Sequence, residues 1–197
     1  FAAQNAFESI PKGLFSNLEG IVIGGEVAYN LDFYIDLNNP DSVGLKTSTP
    51  RKNLRILQMG ATNLRYINEP FIYTAYEYGR PLRSFEVGTS NLHFRELHQI
   101  PDVIKHAILT SEDGEFFFHR GLRDDAFARA IATNLQKQRF AQGGSTITMQ
   151  LVKNIYLSRN KTITRKLEEI AIIWLIENCG LISKERMFEV YLNIIEM

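Results

Sequence analysis

The sequence predicts an α+β fold in which a β-rich region, residues 1–94, precedes a mainly α-helical region, residues 95–197. Up to about residue 95, apolar and polar residues alternate in short runs, the period of a half-buried strand. From Ile100 onward the apolar residues recur at three- and four-residue steps, the period of a helix face. Hydrophobic residues make up 45% of the 197, enough to bury a core and to exclude a disordered chain.

In the first region, Ile21 and Ile23, then Val27, Tyr29, Leu31, Phe33 and Ile35, form two runs, and Gly24-Gly25 between them predicts a hairpin turn. Asn38-Asn39-Pro40-Asp41-Ser42 is a turn cluster. Asn53 to Met59 and Pro70 to Tyr78 read as further strands, Gly79-Arg80-Pro81 as a second turn, and Leu82 to Val87 as the strand after it. Pro101-Asp102 opens a helix over Val103 to Thr110. Asp124 or Asp125 is expected to cap a helix carrying Phe127, Ile131 and Leu135, and Ser145 one carrying Ile147, Leu151 and Ile155. Thr162 to about Cys179 is a long helix with Gly180 at C′, and Ser183 caps a last helix through Tyr191 and Leu192. The two regions meet near residues 92–100 by a change of period, with no Gly/Ser-rich linker.

Lys plus Arg equals Asp plus Glu at 22 each, so overall charge gives no reason to expect a nucleic-acid partner. The single cysteine, Cys179, excludes an intrachain disulfide and, in its apolar stretch, reads as an inert buried thiol. The longest apolar run, Ile170 to Ile176, is far below the roughly 20 residues of a membrane helix. A chain that starts at Phe1 and stops inside an apolar helical pattern at Met197 is expected to be a fragment.

Glu112 and Asp113 are adjacent carboxylates followed by Phe116-Phe117-Phe118, His119 and Gly121. Aromatic bulk beside a carboxylate desolvates it and raises its pKa, which suits a general acid or base. The plainer reading is an acidic pair on a solvated helix end. Between Arg120 and Lys166 stand ten basic and two acidic residues, a net +8 in a neutral chain. Such a stretch can hold a diphosphate or polyanion, or simply be a solvated face. Gly143-Gly144-Ser145-Thr146 leads into a helix whose first N–H groups can meet phosphate oxygens, although a simple cap explains it equally. Arg165 and Glu169 are one helical turn apart, either a surface ion pair or part of a cation pair on a leaving diphosphate.

The order of these features resembles the peptidoglycan glycosyltransferase family of bifunctional penicillin-binding proteins and monofunctional transglycosylases. Glu112, Asp113, Phe116, His119 and Gly121 match its first motif, Glu-Asp-x-x-Phe-x-x-His-x-Gly. Gly143 through Thr148, Gln150, Lys153 and Asn154 match the second, with Met149 replacing a Gln. Arg165, Lys166 and Glu169 match the third; Lys184 and the run Phe188 to Asn193 match the fourth. The resemblance covers about residues 95–197, a fifth motif is expected beyond Met197, and residues 1–94 stand outside it.

The resemblance implies a lysozyme-like helical domain that polymerises lipid II into glycan strands with release of undecaprenyl diphosphate. By similarity Glu112 and Glu169 are the catalytic pair. Asp113, Ser145, Thr146, Gln150, Lys153, Arg165 and Lys166 contact substrate, and Lys137 or Arg139 adds positive charge. Phe116, His119, Gly121, Asn154, Tyr191 and Asn193 hold the frame, and Asp113 and Glu169 can bind Mg²⁺ or Mn²⁺. The implied partners are lipid II, the growing glycan strand, other wall-synthesis proteins and the outer face of the bacterial cytoplasmic membrane, which Phe116 to Phe118 and Phe140 can touch. The competing readings are a lysozyme-like glycan hydrolase, which needs no basic diphosphate cluster, and a non-catalytic lipid II-binding scaffold.

Overall fold

The structure is a computed structural model. It describes residues 1–36, 38–39, 42–77, 80–139, 141, 143–157 and 162–195. Pro40-Asp41 and Gly79 of the predicted turns, together with Phe140, Arg159 and Lys161, lie outside the described residues.

Helix α1 (Ala3–Glu8) precedes strands β1 (Val22–Val27), β2 (Asn30–Tyr34), β3 (Gly44–Ser48), β4 (Arg51–Gln58), β5 (Phe71–Glu77) and β6 (Arg80–Val87). The helical region follows as α2 (Asp102–Glu112), α3 (Asp124–Lys137), α4 (Ile147–Tyr156), α5 (Ile163–Asn178) and α6 (Lys184–Ile194). Among the described residues the strands form three two-stranded antiparallel sheets, β1–β4, β2–β3 and β5–β6, so the fold is α+β. Pro81 of the expected second turn stands inside β6.

Gly24-Gly25 does not turn the chain. It lies inside β1, where the register against β4 shifts between Gly24 and Glu26. Gly25 has φ +100°, and a Cβ there would come within 2.5 Å of the Asn53 carbonyl oxygen on β4. A bulge with close backbone contact and a tight turn both require backbone freedom that glycine supplies, so the dipeptide alone does not separate them.

One apolar core joins the two regions. Leu18, Ile21, Leu64 and Ile67 pack in the same cluster as Ile147, Leu151, Ile172 and Phe188. Polar ties cross the seam. The Tyr156 hydroxyl donates to the Leu64 carbonyl at 2.8 Å, Asn68 Nδ2 to the Leu181 carbonyl at 3.0 Å, and Arg186 Nε to the Ile67 carbonyl at 2.7 Å. The buried Glu168 carboxylate on α5 accepts the Asn17 N–H at 2.7 Å. Buried polar groups need such partners, so these bonds fix how residues 15–70 lie on the helices.

The cap of α4 is Thr146, one residue beyond the expected Ser145; its hydroxyl accepts the Met149 N–H at 3.1 Å. Thr162 caps α5 and Ser183 caps α6 in the same way. Among the described residues helix α3 has no side-chain cap. Asp124 and Asp125 instead occupy its first turn, where negative charge meets the positive end of the helix dipole. Asp124 also accepts from the Thr47 hydroxyl on β3 at 2.8 Å. Gly180 stands just past α5 with φ +59°, the left-handed conformation that the C′ position uses. Cys179 is half-buried, and burial pushes its thiol up, away from the reactive thiolate. Among the described residues no helix is long and apolar enough to cross a membrane.

Candidate active site

Glu112 ends α2 and is exposed, so the aromatic run does not bury it. The carboxylate that burial takes is Asp113, 3% exposed. Asp113 accepts from His119 Nε2 at 2.8 Å and from the Ile147 N–H at 3.2 Å, with an Arg123 guanidinium nitrogen at 3.7 Å. The Gly121 N–H donates to His119 Nδ1 at 3.0 Å. His119 therefore carries its proton on Nε2, toward Asp113. The Thr146 hydroxyl donates to the Gly121 carbonyl at 2.6 Å while capping α4. These bonds stitch the loop 113–121 to the start of α4.

Phe116 is fully buried between Phe117 and Phe188, and the Lys184 ammonium sits 4.4 Å above its ring. Thr146 was expected to line a donor site. It is buried and its hydroxyl is used inside the frame, while its neighbour Ser145 is exposed. Met149 is 1% exposed and packs in the core, so its departure from the motif falls on the interior face of α4.

Gln150, half-buried on α4, donates Nε2 to Glu112 Oε2 at 2.8 Å, and the Tyr191 hydroxyl donates to Gln150 Oε1 at 3.2 Å. Asn193 clasps the backbone of Arg95 by both polar atoms, at 2.9 and 2.8 Å, tying α6 to the segment before α2. Asn154 lines a cleft of about 420 Å³ with Tyr66, Phe71 and Ile155.

On α5, Glu169 is 1% exposed. Lys166 Nζ donates to its Oε1 at 2.6 Å, and an Arg165 guanidinium nitrogen lies 3.6 Å from Oε2. Among the described residues, Oε2 and Arg165 Nε are buried without a hydrogen-bond partner. Lys153 is exposed on α4. A divalent ion needs several oxygen donors clear of competing cations. Glu169 is held by Lys166 and Arg165, and Asp113 by His119, the Ile147 N–H and Arg123. Among the described residues no three His, Cys, Asp or Glu side chains converge to hold a metal. As they stand, these two carboxylates do not fit a shared Mg²⁺ or Mn²⁺.

Part of the basic stretch is neutralised locally. Arg123 pairs with Asp125 at 2.6 Å and Glu115 at 3.3 Å, and Arg129 pairs with Asp125 at 2.8 Å. Arg120, Lys137 and Arg139 are exposed. The hydrogen bond from Arg123 holds the Asp125 carboxyl down at about 2. A depressed folded-state value adds stability above the unfolded value, near 3.8, and loses it as pH falls toward 2. Asp125→Asn is therefore expected to cost at most about 1 kcal/mol at pH 7, since water screens this half-exposed pair. The difference from the parent closes between pH 4 and 2, as urea unfolding at several pH values will read.

Sequence reasoning missed Glu177, whose Oε1 accepts from the Thr148 hydroxyl at 2.8 Å and from Lys184 Nζ at 2.7 Å, linking the second and fourth motifs. The available signal was an acidic residue in a long apolar helix, since a buried carboxylate must be paired.

The helices and the acidic loop they hold define the class, a mainly helical domain with small antiparallel sheets packed against it. The family model described as Transglycosylase matches residues 78–197, so the chain belongs to the transglycosylase family. That match takes in β6 and the segment up to residue 95, ahead of the motif-based resemblance. Among curated proteins, the chain is similar to a biosynthetic peptidoglycan transglycosylase of Paraburkholderia phytofirmans, 45% identical over 98 residues, 50% of this chain and 40% of that protein. A protein of the same name from Nitrosospira multiformis is 46% identical over 98 residues, 50% and 42% of the two chains. Another from Methylobacillus flagellatus is 42% identical over 101 residues, 51% and 43%. The chain spans about two fifths of the length of these curated relatives.

Proposed function

We propose that this chain carries the glycosyl-transfer site of a peptidoglycan glycosyltransferase that polymerises lipid II at the outer face of the bacterial cytoplasmic membrane. The observation that carries the reading is Glu112, an exposed carboxylate held by Gln150 at the edge of the buried Asp113–His119–Gly121–Thr146 frame. Exposure leaves it open to a substrate, and the frame fixes where it stands, as a general base requires.

In the proposed reaction Glu112 takes the proton of the acceptor sugar's 4-hydroxyl. The oxygen attacks the anomeric carbon of the growing strand, and the C–O bond to the lipid diphosphate breaks with inversion. The diphosphate leaves with the electron pair. Arg165, Lys166 and Lys153 stabilise the charge that develops on it, with Glu169 orienting the first two. Ser145, exposed beside the cap of α4, meets the donor in this reading. Phe118, 88% exposed, and Phe117 offer apolar surface to the bilayer that holds both lipid-linked substrates. The glycan strand is the product, and other wall-synthesis proteins are partners of the same reading.

Labelled lipid II given to the intact natural protein tests this. Growth of a glycan polymer is the expected result. Cleavage of preformed strands without polymer growth would make the protein a hydrolase. Binding of lipid II with neither reaction would make it a scaffold.

A further inference from the structure

The hydroxyl of Tyr191 has a role beyond packing α6. Its residue is 2% exposed. Burial, with the nearby charges of Glu112 and Asp113, pushes its phenol up to about 12. The group therefore stays protonated at neutral pH and acts as a donor. Its acceptor is Gln150 Oε1. A primary amide whose oxygen is taken in this way turns its NH₂ group the other way, here onto Glu112 Oε2. The polarity of the chain is consistent throughout, because a carboxylate can only accept and a protonated phenol is free to donate. Three helices contribute one residue each: Tyr191 from α6, Gln150 from α4 and Glu112 from α2.

We propose that Tyr191 is a positioning residue that acts through Gln150, fixing Oε2 of Glu112 so that Oε1 is the oxygen presented to the acceptor hydroxyl. The proposal rests on Glu112 as the general base. An exposed glutamate at a helix end has free rotamers to lose, and the tie from Gln150 removes that freedom before substrate arrives.

A double-mutant cycle on the intact natural protein tests it, with kcat and KM for lipid II polymerisation as readouts. Tyr191→Phe is expected to lower kcat about 10-fold and leave KM within about twofold, because misplacing a reacting group costs rate, not ground-state binding. In a Gln150→Ala background the same change is expected to cost less than about twofold, since the route to Glu112 is already cut. An equal loss in both backgrounds would mean that Tyr191 only packs, and no loss in the parent would overturn the proposal outright. Gln150→Glu keeps the shape and the acceptor for Tyr191 but turns a bare oxygen toward Glu112. It is expected to lower kcat, and full activity in that variant also overturns the proposal. A Glu112→Gln control separates the two levels. If it stays active, the base assignment fails. If it is inactive while Tyr191→Phe costs the same in both backgrounds, only the positioning role fails.

Discussion

Glu112→Gln is expected to slow lipid II polymerisation about 10³-fold, the contribution typical of a positioned general base. Its effect on stability should be close to nothing. Glu112 is exposed, at the end of α2, and among the described residues it holds no buried group. Its side-chain partner among the described residues, the Gln150 amide, can donate to the new amide oxygen as it does to the carboxylate. Exposed substitutions of this kind stay within about 0.5 kcal/mol, so the Tm should be unchanged. The variant removes the proton acceptor and little else. Initial rates of polymer growth, measured beside a thermal melt, check both halves. A variant that keeps more than a tenth of the parent rate would end the assignment of Glu112 as base.

The site was legible in the sequence to the extent that local spacing encodes it. The motif Glu112 to Gly121 fixed the residues that now form one hydrogen-bonded loop, because a loop of ten residues brings its own ends together. The sequence could not say which of two adjacent carboxylates is buried. The aromatic run suggested Glu112, and the fold buries Asp113, because α2 ends between them and turns the second carboxylate toward His119 and the start of α4. Met149 was ambiguous for the same reason: helical position alone left open whether it faced the cleft or the core. In the first region, the alternation from Ile21 to Ile35 revealed strands but not their partners. β1 pairs with β4 and β2 with β3, pairings set by long-range packing. Glu168 was silent for a related reason, since its partner Asn17 lies 151 residues away.

The largest stability effect is expected at Gly121. Its φ is +79°, and a Cβ added there would stand 2.4 Å from Ile173 Cγ2 and 3.0 Å from Glu177 Cγ. Both neighbours belong to α5, and Ile173 is fully buried, so neither can withdraw cheaply. The backbone of Gly121 cannot rotate away either. Its N–H is bound to His119 and its carbonyl to Thr146, the two bonds that close the frame under Glu112. Gly121→Ala therefore adds a left-handed alanine, about 1–2 kcal/mol, to an overpacked core contact, about 1–3 kcal/mol. At roughly 2–4 °C per kcal/mol for a chain of this size, the Tm should fall by on the order of 10 °C. Gly180→Ala is the control. Its φ is +59°, but among the described residues other than its chain neighbours no atom lies within 4 Å of the added Cβ, so only the backbone penalty of about 1–2 kcal/mol applies. Calorimetric melts of the two variants give the comparison. Equal losses would show that the backbone conformation alone sets the cost. A larger loss at Gly121 would show that the close approach of the loop to α5 adds a steric cost to the backbone penalty.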